Sequence, residues 1–272
     1  MPLGETLYRA SQIGLLLLGS ILWIRALLGG RVAQWLRQPS RLPAWSISLG
    51  DFLLLPFCSL VLLLLVPAGL AWLVGVKPSV EPSGTAALVA SYGMGLSLVG
   101  GSLIFRLLPP ARVARSPRGT GNPVIRGLLA LVYFLPPCMA LAYLADLVLR
   151  SLGYTPDLQV VVKIIRDTHD PLILAQWFFT VVILAPLGEE LLFRAGIFRY
   201  LSNHLKPSLA AALSSALFAT LHWNLQATLP LFALGLLLAG LYQKTGRLSA
   251  AIALHAAFNL NTFLGLLSGA LS

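Results

Sequence analysis

The residues with the richest chemistry in this chain stand where charge is least expected. Three otherwise apolar stretches carry them: APLGEELLFRAGIF with Glu189, Glu190 and Arg194, ALFATLHW with Phe218 and His222, and AIALHAAFN with His255 and Asn259. Residues four apart share a helix face, so each stretch supplies one facing pair: Glu190 with Arg194, Phe218 with His222, His255 with Asn259. The first pair can neutralise itself, which leaves Glu189 as the carboxylate without a partner in its own helix. A desolvated glutamate can act as general base, and a histidine can share or relay the proton. A second histidine and an asparagine amide can donate hydrogen bonds to the oxyanion of a tetrahedral intermediate. Glu189, His222 and His255 also form an alternative ligand set for a catalytic zinc with an open water position, although no cysteine and no closed four-ligand pattern demands a metal.

The elements that must position these groups are membrane helices. Of the 272 residues 57% are hydrophobic and 10% charged, against about 25% charged in soluble domains. Roughly 20 apolar residues cross a bilayer as a helix. That ruler picks out about eight spans, at approximately 10–28, 51–75, 85–108, 125–149, 171–198, 207–223, 226–242 and 248–270. The expected fold class is therefore all-α, a polytopic transmembrane helical bundle, with the sixth and seventh spans the shortest. Pro56, Pro67, Pro136 and Pro137 inside the second and fourth spans are expected to kink them. Gly153 to Asp170 is too polar to span and reads as an interfacial or re-entrant piece. Pro109 to Pro123, rich in Pro, Gly and Arg, reads as a linker. It divides N-terminal spans and a basic connection, 1–124, from a catalytic bundle, 125–272.

The formal net charge of +10 would raise the question of nucleic acid in a soluble protein. Here Arg31, Arg37 and Arg41 follow the first span, Arg112, Arg115 and Arg118 the third, Arg199 and Lys206 the fifth, and Lys244 and Arg247 the seventh. Every odd-to-even connection is basic, which points these four to the cytoplasm and both termini to the other side. The expected setting is the plasma (inner) membrane, with the lipid bilayer and a peptide or membrane-associated protein substrate as partners and no nucleic acid. Cys58 and Cys138 lie in apolar runs outside any CxxC-type pair, so neither a disulfide framework nor a cysteine metal site is expected. MPLGETLYRA lacks the basic start and small-residue cleavage site of a removable signal, so the first span is expected to stay in the membrane.

Depth gives an independent check on the three motifs. At about 1.5 Å per residue, Glu189 lies roughly 15 Å above Arg199, His222 roughly 24 Å above Lys206, and His255 with Asn259 roughly 12 to 18 Å above Arg247. All of these heights fall within the hydrocarbon layer, so polar groups from three helices can meet in one buried site. Phe218 reads as packing that shapes the wall beside His222. His169 and His204 read as solvated, and Asp146 and Asp51 as interfacial.

EExxxR, FxxxH and HxxxN, in this order on apolar helices, closely resemble the CPBP family of intramembrane proteases, which includes type II CAAX prenyl endopeptidases and proteins linked to bacteriocin processing or self-immunity. YQKTGRLSAAIALHAAFN adds to the match, since the family commonly places an aromatic-x-x-Thr-Gly-like turn before its last motif. The resemblance covers approximately residues 125–270. It implies that Glu189 and His222 activate the attacking water, that Glu190 and Arg194 hold the site together, and that His255 and Asn259 stabilise the oxyanion. It leaves open a metal mechanism and a metal-free glutamate mechanism. Two other functions fit buried ionisable groups: a non-catalytic immunity or scaffold protein of the same fold, and a small transporter with a carboxylate relay. The intact set of motif residues favours the enzyme, and the absence of a detectable inverted repeat disfavours the transporter.

Overall fold

The computed structural model describes residues 3–76, 84–108, 121–154 and 160–270, and among these there are helices and no strand. They are α1 (Leu3–Leu28), α2 (Arg31–Arg37), α3 (Leu49–Val74), α4 (Gly84–Leu107), α5 (Pro123–Ser151), α6 (Val160–Asp167), α7 (Pro171–His204), α8 (Pro207–Thr220), α9 (Leu225–Thr245) and α10 (Leu248–Leu267). Seven of them, α1, α3, α4, α5, α7, α9 and α10, are long and apolar enough to cross a membrane. The chain is an all-α, polytopic membrane bundle.

The expected sixth span is the one that changes most. α8 has only 14 residues, about 21 Å of helix and less than a hydrocarbon layer of about 30 Å. It ends at Thr220 rather than at residue 223, and His222 stands in the turn that follows. Asn224 closes that turn by accepting the backbone N–H of Ala227 at 2.9 Å, which starts α9. The prolines of α3 and α5 lie inside continuous helices of 26 and 29 residues. The polar stretch before α7 contains α6, whose Ile165 is buried in a cluster with Trp177 of α7 and Phe263 and Leu266 of α10. Most of the Pro109–Pro123 linker lies outside the described residues, as do Arg112, Arg115 and Arg118.

α7 lies at the centre of the packing. It touches α3 and α4 on one side and α8, α9 and α10 on the other, while α5 backs α9 and α10 and carries α1 on its outer face. Close approach between α4 and α7 depends on two glycines. A Cβ on Gly95 would sit 2.6 Å from Leu184, and one on Gly188 would sit 2.8 Å from the Leu98 Cβ and 3.2 Å from the Gly95 carbonyl. Small residues at a membrane helix seam let backbones meet in this way. Because Gly188 precedes Glu189, the seam fixes the height and rotation of the carboxylate pair.

Candidate active site

α7 is not a regular α-helix. Phe179–Leu184 and Glu190–Phe198 are wound as π-helix, and Ala185–Glu189 between them is α-helical. Such segments recur at functional sites because the wider turn re-aims side chains. In the first of them the Ala185 N–H reaches back to the Thr180 carbonyl. The next carbonyl in that register, Val181, therefore faces Pro186, which has no N–H to give. The Asn259 side-chain amide from α10 donates to the Val181 carbonyl at 2.8 Å instead. Sequence reasoning offered Asn259 as an oxyanion donor; this N–H is engaged in tying α10 to α7 at Val181, eight residues before Glu189.

Behind the carboxylates the chain builds an ion cluster. Glu190 is fully buried, Arg194 likewise, and His255 is 2% exposed. Arg194 Nη1 lies 3.1 Å from Glu190 Oε1, and His255 Nδ1 lies 2.9 Å from the same oxygen. The other ring nitrogen, His255 Nε2, faces Glu189 Oε2 at 3.6 Å. Both nitrogens of His255 thus look at carboxylates, which can only accept when ionised. A protonated His255 would donate to Glu190 and face Glu189 as a counter-charge, and together with Arg194 would bring the formal charge of the four groups to zero. That is the arrangement a low-dielectric interior favours.

Phe218 is the hub of this arrangement, with no exposed surface. The Arg194 guanidinium stacks over its ring at 4.4 Å, and the rings of His222 and His255 meet it at centroid distances of 4.7 and 5.6 Å. The packing role expected of Phe218 holds, and it extends to capping a buried cation. His222 Nδ1 is 2.8 Å from the Phe218 carbonyl. That carbonyl lost its α-helical partner where α8 ended, because the His222 N–H turns to Ala219. A carbonyl only accepts, so Nδ1 carries the hydrogen, and in the neutral ring the lone pair is on Nε2.

Glu189 and His222 line one cavity of about 880 Å³. Glu189 is the accessible member of the glutamate pair, with 12% of its side chain exposed. Much of the remaining wall comes from α3 and α4, through Pro56, Leu60, Leu63, Met94 and Leu98. The motifs of α7, α8 and α10 gave no sign of these residues, since apolar side chains in a span carry no label for a cavity. At the mouth, Gln226 donates to Asp146 Oδ1 at 3.2 Å, and Arg150 donates to Oδ2 of the same carboxylate at 2.7 Å. This joins α5 to the start of α9.

Glu189, His222 and His255 surround one site but are not placed to share a metal ion. Among the described residues no group of three or more His, Cys, Asp or Glu is placed to hold a metal ion. The geometry explains why: Phe218 meets both histidine rings, and His255 turns both nitrogens to the glutamates. The residues present do not fit a metal centre of that composition.

Comparison with curated proteins and with solved structures gives no match. A family model does match, over residues 171–261, and its description is Rce1-like, type II CAAX prenyl endopeptidase Rce1-like. The matched stretch opens at the first residue of α7 and closes just after Asn259, so it takes in the distorted helix, the short α8 with its histidine turn, and the face of α10 that carries His255 and Asn259. Over that stretch the chain is similar to the type II CAAX prenyl endopeptidase Rce1-like family.

Proposed function

We propose that the protein is an intramembrane endopeptidase that hydrolyses a peptide bond in a membrane-associated protein with a lipid-modified, prenyl-like tail. The observation that carries this reading is the shared wall: Glu189 and His222 border one largely apolar cavity, and the Glu190–Arg194–His255 cluster braces Glu189 from behind. In the proposed reaction Glu189 takes a proton from a water held between it and His222. The water oxygen bonds to the scissile carbonyl carbon, and the tetrahedral intermediate collapses with cleavage of the C–N bond. The proton held by Glu189 passes to the leaving amine, with His222 Nε2 as a relay. No step is routed through a metal. The basic connections, including those after α1 and α9, point to substrate entry from the cytoplasmic side; with the short α8 carried through the plasma (inner) membrane as an eighth crossing beside the seven longer spans, both termini lie outside.

The engagement of Asn259 with Val181 favours a second reading, a non-catalytic scaffold or immunity protein of the same fold, because one expected oxyanion donor is occupied. The two are separated by comparing native membranes that carry wild-type protein or Glu189→Gln. The protease reading expects uncleaved lipid-tailed proteins to accumulate only with the variant. Identical protein profiles, together with an unchanged cellular phenotype in the variant, would put the scaffold first.

A further inference from the structure

A second cavity, of about 420 Å³, lies beside the first, between α3, α4, α7 and the end of α9. Its polar lining residues are Arg106, Arg199, Trp45, Ser102 and Tyr242, whose side chains can all donate hydrogen bonds. Among the described residues no acidic side chain lines it. Trp45, Ser102 and Arg199 are 4%, 3% and 8% exposed. Trp45 Nε1, Ser102 Oγ and Arg199 Nε are all buried without a hydrogen-bond partner among the described residues. Leaving a buried donor unmatched costs roughly 1–3 kcal/mol, and more for a charged group, so three in one small cavity point to an acceptor-rich occupant.

The site is also built rigidly. Arg199 donates to the Pro43 carbonyl at 3.3 Å and to the Tyr242 hydroxyl at 3.4 Å. The backbone N–H of Trp45 is held by Asn203 at 2.9 Å, and its ring meets Phe105 edge-on at 6.0 Å. These contacts keep the indole and guanidinium in place without using Trp45 Nε1 or Arg199 Nε.

We infer that this cavity binds an oxyanion, a carboxylate or phosphate group, between Arg199, Arg106, Trp45 and Ser102. The group can come from a peptide tail or from free phosphate. The location bears on the choice. Ala195 and Gly196 of α7 line the cavity, six and seven residues beyond Glu189, which is at most about 10 Å along a helix. Three extended residues span the same distance. A peptide cut at Glu189 and ending about three residues later would place its terminal carboxylate at this level. That source rests on the protease reading above; the oxyanion site does not.

The test uses the full-length protein in neutral detergent and follows melting temperature against inorganic phosphate and acetate, with chloride at matched ionic strength. Phosphate or acetate should stabilise the wild type and chloride should not. Ser102→Ala, Trp45→Phe and Arg106→Gln should each weaken half-saturation on the order of tenfold, the scale of one hydrogen bond to a charged group. Ser102→Ala removes an unmatched buried hydroxyl, so without anion it should melt no lower than wild type, which separates loss of binding from loss of fold. Equal responses to all three salts, or variants that respond as wild type does, would overturn the site.

A second arm compares one cleavable peptide as C-terminal acid and as amide. A tail site predicts a KM raised about tenfold for the amide with kcat unchanged, and loss of that preference in Arg106→Gln. Saturable phosphate binding with equal KM values would support the oxyanion site and assign it to free phosphate. No cleavage of either peptide would count against the protease reading and leave the anion titration standing.

Discussion

The two adjacent glutamates face different surroundings, and their variants should fail differently. Glu189 borders the cavity, whereas Glu190 is sealed between Arg194 and His255. Glu189→Gln keeps size and packing while removing the proton acceptor, so cleavage should fall by about 10² to 10⁴ with melting in detergent nearly unchanged. Glu190→Ala leaves Arg194 buried without its counter-charge, and breaking such a pair costs about 3–5 kcal/mol in soluble proteins. Melting should drop along with activity. Full cleavage by Glu189→Gln would show that the base lies elsewhere. At this scale the sequence was informative because ionisable residues in apolar runs are rare: Glu189, Glu190, Arg194, Phe218, His222 and His255 do converge. It could not reveal that His255 would bridge both glutamates, since contacts between helices distant in sequence leave no periodic trace.

The placement of helices was legible from apolar run lengths alone, with most boundaries within a few residues of those found. What stayed hidden was winding. Pro186 was visible, but its effect depends on whether the preceding turn is α or π, and on whether another helix brings a donor to the freed carbonyl. Asn259 supplies that donor, so the two positions should be coupled. Asn259→Ala and Pro186→Ala are each expected to lower the melting temperature, and the double variant should lose less than the sum. Interhelical hydrogen bonds in membranes average about 0.6 kcal/mol and reach about 2, which sets the size of the coupling in a double-mutant cycle. Strict additivity would mean that Asn259 does not compensate for Pro186. The seam before Glu189 gives a plainer expectation: Gly188→Val pushes side-chain atoms into Leu98 and the Gly95 backbone. Cleavage should be lost although no charged group has changed, and full activity would show that the seam does not set the position of Glu189.

For the whole molecule, the contribution of the first spans could not be foreseen. They carry no motif, yet α3 and α4 wall the cavity that Glu189 borders, so cavity-filling changes there, such as Met94→Trp, should alter which tails are cut before they alter the chemistry. The cluster geometry likewise predicts that a membrane-permeant chelator leaves cleavage intact; inhibition reversed by added zinc would require a different ligand arrangement from the one seen. A last consequence follows from the bond between His222 Nδ1 and the Phe218 carbonyl. Nδ1 is tied to a group that cannot accept a proton, and the fully buried Phe218 side chain packs against the ring. For protons the bond to Phe218 is a cul-de-sac: one received at Nε2 finds no onward acceptor at Nδ1. Water hydrolysis needs such a closed loop, whereas a transporter needs a through-path. Reconstituted in vesicles with an internal pH dye, the protein should collapse an imposed pH gradient no faster than empty vesicles, and a flux abolished by His222→Phe would mean that the loop is open.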